Sequence, residues 1–178
     1  MTVIDQPTDL SPATVPAIAD KVGCHYRPTH DYEVGREQIR EFARSVHDDH
    51  PAHRLEIAAA ALGYATLIAP VTFVSVIGTR LLPELFAHLL IGYSVSDVLH
   101  TDQQILIRRP MQVGDRVSSD LCLESFRQSS GSDVMVTCTT LTDQRGDELA
   151  VTRTTFVART GGYTDPGIAD TLHNLMRS

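Results

Sequence analysis

The chain has 178 residues and a formal net charge of −7, with 15 Lys and Arg against 22 Asp and Glu. That length supports one domain with a core large enough to need no covalent staples, and the acidic balance argues against a nucleic-acid-binding surface, which requires a basic face. Cys24, Cys122 and Cys138 show neither Cys-x-x-Cys nor metal-ligand spacing, so no metal site is expected, and their odd number and dispersion suit a reducing cytoplasm.

No charged segment followed by an apolar one opens the chain, so no signal peptide is read. Residues 1–21 hold Pro7, Pro12 and Pro16 among Thr, Ser and Asp without sustained periodicity, the pattern of a flexible arm. A short strand is expected around His25 to Val34. Arg36 to Val46 reads as an amphipathic helix, because Ile39, Phe42, Ala43 and Val46 recur at the spacing that builds one apolar stripe. Pro51 bars its continuation. Glu56 to Leu62 is rich in Ala and helix-prone. From Pro70 to Leu82 no wide polar face remains, since Val71, Phe73, Val74, Val76, Ile77, Leu81 and Leu82 are all apolar. This is how a helix buried against a sheet reads, with Pro70 suited to its first turn and Pro83 expected to stop or kink it. Charges and prolines interrupt the apolar stretch Ala65 to Ile91, so no membrane span is expected.

The second half is written in strands: Val98 to Ile107, Arg116 to Phe126, Asp133 to Leu141 and Glu148 to Ala158. Turn clusters at Gly114-Asp115, Ser129-Ser130-Gly131 and Gln144-Arg145-Gly146-Asp147 separate the later ones. Neighbouring strands joined by short turns imply an antiparallel sheet and an α+β class. One domain is expected over residues 22–160. The tail, residues 161–178, can carry a short helix between Asp165 and Arg177 through Ile168, Leu172, Leu175 and Met176.

The chemistry points to Asp48-Asp49-His50-Pro51-Ala52-His53. A carboxylate and an imidazole flank a turn forced by proline, where they can face one small volume. Such a pair can perform acid–base work near neutral pH. The same pattern also fits a solvated helix-to-loop junction.

The stretch resembles the signature of the MaoC-like (R)-specific enoyl-CoA hydratases and 3-hydroxyacyl-thioester dehydratases, Asp-x-Asn-Pro-x-His followed by an Ala-rich run and Gly-Phe or Gly-Tyr. Here Ala58 to Ala61, Gly63-Tyr64 and Leu67-Ile68-Ala69-Pro70 follow it. Tyr32 to Ala43, Ala69 to Phe73, Asp102-Gln103-Gln104 and Arg109 to Asp115 are similar to the actinobacterial branch with an N-terminal-type MaoC dehydratase domain, which includes mycolic-acid dehydratase subunits. The resemblance covers roughly Cys24 to Arg159. It implies a hot-dog fold, an antiparallel sheet wrapped around a long central helix. The implied reaction is reversible loss of water from (3R)-3-hydroxyacyl thioesters carried by CoA or acyl carrier protein, without metal or organic cofactor, in a homodimer or a heterodimer with another hot-dog chain.

Carried over from the motif, His53 is the base and Asp48 orients or protonates the water. Gly63 and Tyr64 fall in the substrate-binding part of the pattern, and His50 replaces its Asn. The start of the buried helix would supply backbone donors from Val71, Thr72 and Phe73 to the thioester oxygen. Arg108 and Arg109 are candidates for gripping the phosphates of the carrier, with a solvated strand end as the plainer reading. The chain departs from the pattern at Val46-His47, where small residues are usual, at His50, and at Ala69-Pro70, which removes a glycine from the oxyanion region. Related subunits that lack the final His serve as non-catalytic partners. An acyl-chain-binding partner subunit is therefore the alternative, and a thioesterase, which the fold also hosts, the weaker one.

Overall fold

The computed structural model describes residues 18–160. Two short strands, β1 (His25–Tyr26) and β2 (Tyr32–Glu33), precede helix α1 (Arg36–Ser45). A 3-10 turn (Pro51–His53), helix α2 (Glu56–Ala61) and a second 3-10 turn (Val71–Phe73) lead into the long helix α3 (Val74–His88). The remainder is strand: β3 (Val98–Ile107), β4 (Arg116–Ser129), β5 (Ser132–Thr142) and β6 (Glu148–Arg159). All named strand pairs are antiparallel, in the order β1-β4-β5-β6-β3, with β2 also against β4. The expected strand around His25 to Val34 is thus two pieces, because both pair with β4 at separate registers.

Helix α3 lies against the sheet and joins two core clusters. Its first half buries Phe73, Val74 and Ile77 against Leu67, Val117, Leu141 and Leu149. Its second half buries Leu85 and Phe86 against Leu121, Leu123, Met135 and Phe156. Leu81 touches both. Pro83 does not stop the helix, which runs on to His88. Proline removes one i→i−4 bond, but Pro83 is on the exposed side, and burial of Leu85, Phe86 and Leu89 holds the last turns in place. Packing outweighs local propensity here.

Of the stretch expected as a flexible arm, the structure describes residues 18–21. Ile18 is fully buried in the second cluster, an apolar side chain that the sheet and helix end would otherwise leave exposed. The rest of the arm, residues 1–17, and the tail with its expected helix lie outside the described residues. Among the described residues no helix is long and apolar enough to cross a membrane.

Candidate active site

The site is built by two helix ends and a tether. Helix α1 is started by Gly35, whose N–H donates to Gln38 Oε1 at 2.8 Å, and buries Ile39 and Ala43. At its end His47 N–H donates to the Arg44 carbonyl and Asp48 N–H to the Ala43 carbonyl, at 3.2 and 2.9 Å. This paired-bond cap requires a left-handed residue at its turn, and His47 takes that role with φ 55°. The cap fixes Asp48 at the outlet of α1. His50 then caps the 3-10 turn, its Nδ1 accepting from Ala52 N–H at 3.2 Å.

His53 ends that turn, buried, with its Nε2 3.1 Å from Asp48 Oδ2. Its Nδ1 lies 2.7 Å from the Ile68 carbonyl oxygen. A carbonyl can only accept, so Nδ1 carries a proton and Nε2 is the nitrogen presented to Asp48. The carbonyl is itself anchored: Ala69 N–H donates to Met111 O at 2.7 Å, Val113 N–H to Leu67 O at 3.1 Å, and Ile68 N–H to Ala52 O at 3.3 Å. Ile68 was not legible as a site residue, because its contribution is a backbone atom with no side-chain signature.

Asp48 is divided between two tasks. His50 N–H donates to its Oδ1 at 3.1 Å, leaving Oδ2 to face His53. That backbone N–H holds the carboxyl below the usual carboxylate range; burial works against the shift, and the His53 imidazole reinforces it. Asp48 therefore stands as a carboxylate at neutral pH, an acceptor for a water or substrate hydroxyl.

Gly63 and Tyr64 form the matching cap of α2. Gly63 N–H donates to Ala60 O and Tyr64 N–H to Ala59 O, with Gly63 at φ 87°. Tyr64 packs on Ala52, Ala59 and Ile68, the small cluster under the dyad. Gly63 thus acts as the stop of α2, and Tyr64 packs on the cluster that contains Ala52 of the 3-10 turn.

At the start of the second 3-10 turn, Val71 and Thr72 are exposed, and their N–H groups have no acceptor within an i→i−3 turn. Phe73 differs from expectation. Its N–H already donates to Pro70 O at 2.9 Å, and its ring is buried against Phe42 and Tyr32. It belongs to the core and cannot offer a free donor.

The two arginines are also engaged. Arg109 holds both oxygens of Asp115 at 2.7 and 3.0 Å and Asp143 Oδ2 at 2.9 Å. Burial would raise the Asp143 carboxyl, but the N–H groups of Arg145 and Asp147 and the Arg109 guanidinium hold it well below the usual range. Arg109 is therefore a part-buried clasp between the β4 entry and the β5–β6 turn, not a phosphate anchor. Arg108 is exposed and pairs with Glu148 at 2.7 Å. Among the described residues no group of three or more His, Cys, Asp or Glu could hold a metal ion.

A second feature lies beside α3. A cleft of about 270 Å³ opens between the helix and the sheet near β3. Thr137, Thr139, Thr152 and Thr154 line its sheet wall, with His100 and Gln103 at the β3 side. His100 sits with its ring centroid 5.6 Å from that of Phe156. His88 stacks on Tyr26 at 3.8 Å and pairs with Glu84.

Comparison with known proteins agrees with this architecture. Residues 20–152 match the family described as FAS1-like, dehydratase domain region. A UPF0336 protein of Mycolicibacterium paratuberculosis is 39% identical over 145 residues, covering 81% of this chain and 83% of that one. Among solved structures, the C-terminally truncated HadBC (3R-hydroxyacyl-ACP dehydratase) complex of Mycobacterium tuberculosis matches with TM-score 0.71 and 34% identity, over 78% of this chain and 98% of that chain. The ChsH1-ChsH2 complex of the same organism, at 15% identity and TM-score 0.58, shares the fold over 81% of this chain and 88% of that chain. The helix wrapped by an antiparallel sheet is the hot-dog fold, and the chain belongs to the MaoC-like dehydratase family.

Proposed function

We propose that this chain catalyses the reversible dehydration of (3R)-3-hydroxyacyl thioesters to trans-2-enoyl thioesters, carried by CoA or an acyl carrier protein. The observation that carries the reading is the pairing of His53 Nε2 with Asp48 Oδ2 at 3.1 Å, with Nδ1 committed to the Ile68 carbonyl. In hydration, Asp48 accepts a hydrogen bond from the attacking water and takes its proton as the water oxygen bonds to C3, while His53 gives its Nε2 proton to C2. Dehydration reverses each step: Nε2 takes the C2 proton and Asp48 returns a proton to the departing hydroxyl. The lowered Asp48 carboxyl keeps it an acceptor for the water. The amides of Val71 and Thr72 would receive the charge that develops on the thioester oxygen. The imidazole and the carboxyl move the two protons, so this scheme uses no cofactor.

The experiment is direct. The purified chain is incubated with crotonyl-CoA and longer enoyl-CoAs, and loss of the conjugated thioester absorbance is followed. Turnover supports the reading; absence of turnover by the chain, alone and with a partner, overturns it.

A second reading has its own support. Among the described residues strand β3 pairs only with β6, and its Leu99, Ile105 and Leu106 are exposed. An apolar free edge invites another strand, and the HadBC and ChsH1-ChsH2 structures are complexes of two kinds of chain. On this reading the chain binds the acyl tail for a catalytic hot-dog partner. Activity would then appear only on co-expression with that partner and would survive His53→Ala.

A further inference from the structure

The cleft beside α3 has the wrong lining for a purely hydrocarbon guest. Inward positions of a half-buried sheet are ordinarily β-branched and apolar, and in this sheet Leu121, Leu123, Met135, Leu141 and Phe156 follow the rule. Two adjacent rungs break it. Thr137 stands opposite Thr154, and Thr139 opposite Thr152, so four hydroxyls occupy one block of the inner face. Gln103 faces Thr154 from β3.

Threonine and valine have nearly the same shape, so packing alone does not require the hydroxyls. Nor does the fold use them well. Thr137 Oγ1 reaches the Thr154 carbonyl only at 3.5 Å, although it is buried, and Gln103 Nε2 reaches Thr154 Oγ1 at 3.4 Å. The hydroxyls of Thr139 and Thr152 have no protein partner among the described residues. Across the gap, α3 presents Ser75, Gly78, Thr79 and Leu82, at i, i+3, i+4 and i+7, a stripe that keeps the helix surface low. A Cβ built on Gly78 would meet nothing within 4 Å. The hydroxyls of Ser75 and Thr79 donate to the Thr72 and Ser75 carbonyls, which leaves their oxygens open as acceptors toward the cleft.

We infer that this cleft selects an acyl tail bearing an oxygen function, a hydroxyl or keto group beyond the reacting carbons, over a plain alkyl tail. The inference rests on the thioester reading above and deepens it by naming the substrate class. A plain tail would remove water from the threonine hydroxyls and offer no hydrogen bond in return, which is unfavourable. A hydroxyl or ketone in the tail can exchange hydrogen bonds with Thr137, Thr139, Thr152 or Gln103 at that depth. The helix stripe gives it room, and the apolar remainder of the lining, Leu82, Leu85, Phe86 and Phe156, accepts the methylenes on either side.

The test is a binding measurement that does not depend on turnover. Saturated decanoyl-CoA and decanoyl-CoA analogues carrying one hydroxyl at successive carbons of the distal half are titrated by calorimetry into the full-length chain. One hydroxylated isomer is expected to bind about three- to tenfold tighter than decanoyl-CoA, the effect of one net hydrogen bond. The valine variant, Thr137→Val/Thr139→Val/Thr152→Val combined with Gln103→Leu, should lose that preference while binding the plain tail at least as tightly. Gly78→Leu, which fills the cleft, should weaken both tails. Equal or weaker binding of every hydroxylated isomer overturns the inference, as does a preference that survives the valine variant or binding of both tails unmoved by Gly78→Leu. Crotonyl-CoA is too short to carry a distal group, so its hydration reports the proposed reaction separately. Turnover with no tail preference would defeat this inference alone, and tail preference with no turnover would defeat only the catalytic reading.

Discussion

Helices α1 and α2 end in the same pair of backbone bonds, yet they solve the turn differently. α2 places Gly63 at φ 87°, where the absence of a Cβ makes the left-handed conformation free of strain. α1 places His47 at φ 55°, where an L side chain costs roughly 1–2 kcal/mol. The strained cap is the one that delivers Asp48 to His53, whereas the relaxed one only sets the floor under Tyr64. Strain at the outlet of α1 is held by the burial of Ile39 and Ala43, which fixes α1.

The largest test of this contrast is the dyad itself. If the α1 cap exists to present Asp48, His53→Ala and Asp48→Asn should each reduce enoyl-CoA hydration by at least about a hundredfold while circular dichroism stays native. A rate within a few-fold of wild type in either variant would remove that residue from the chemistry.

The next effect concerns the relaxed cap. Gly63→Ala puts a Cβ into the left-handed position and should cost about 1–2 kcal/mol, read as a lower urea midpoint. No steric neighbour adds to this, since a Cβ there meets nothing within 4 Å. The converse change, His47→Gly, should raise stability by about 1 kcal/mol or less, the relief of strain being offset by the freedom glycine has when unfolded. A loss of stability in His47→Gly would show that the side chain has a contact outweighing its strain.

Acid sensitivity sharpens the comparison further. Asp48 has a lowered folded-state pKa, so its stabilising effect is fully present above the ordinary carboxylate value of about 4 and is lost as pH falls through the lower folded value. The difference in urea midpoint between wild type and Asp48→Asn should therefore be constant near neutrality and shrink only below about pH 4. A difference that shrinks between pH 5 and 7 would assign the linkage to histidine.

The smallest effect is expected at His50. Its Nδ1 serves as a cap acceptor for Ala52 N–H, a role the amide oxygen of asparagine also fills. His50→Asn should keep activity within a few-fold of wild type, since the cap bond to Ala52 N–H is retained. A folded but inactive His50→Asn chain would place the base at His50.

Strands β3 to β6 were legible to within a few residues, because β-branched runs separated by Gly and Asp turns have few other ways to fold. Helix α1 was legible from its stripe. The end of α3 was not, since Pro83 is a local signal and the burial that overrides it comes from distant strands. In the site, the motif placed Asp48 and His53 on either side of a turn, and their 3.1 Å approach follows from the α1 cap and the 3-10 turn together. Arg109 shows the opposite case: adjacent to Arg108 in sequence, it is claimed by Asp115 and by Asp143, 34 residues away.

By itself the sequence determined the period-two strands, the apolar helices and the placing of a carboxylate and an imidazole on either side of a turn, all set by side-chain type and local spacing. Only the tertiary structure decided which imidazole nitrogen faces Asp48, because the Ile68 carbonyl that fixes it belongs to a segment fifteen residues onward and is held there by Met111 and Val113. The threonine cleft is likewise a tertiary fact. Thr137 and Thr139 become neighbours of Thr154 and Thr152 through antiparallel register, and face α3 because the sheet must bury its apolar side around that helix.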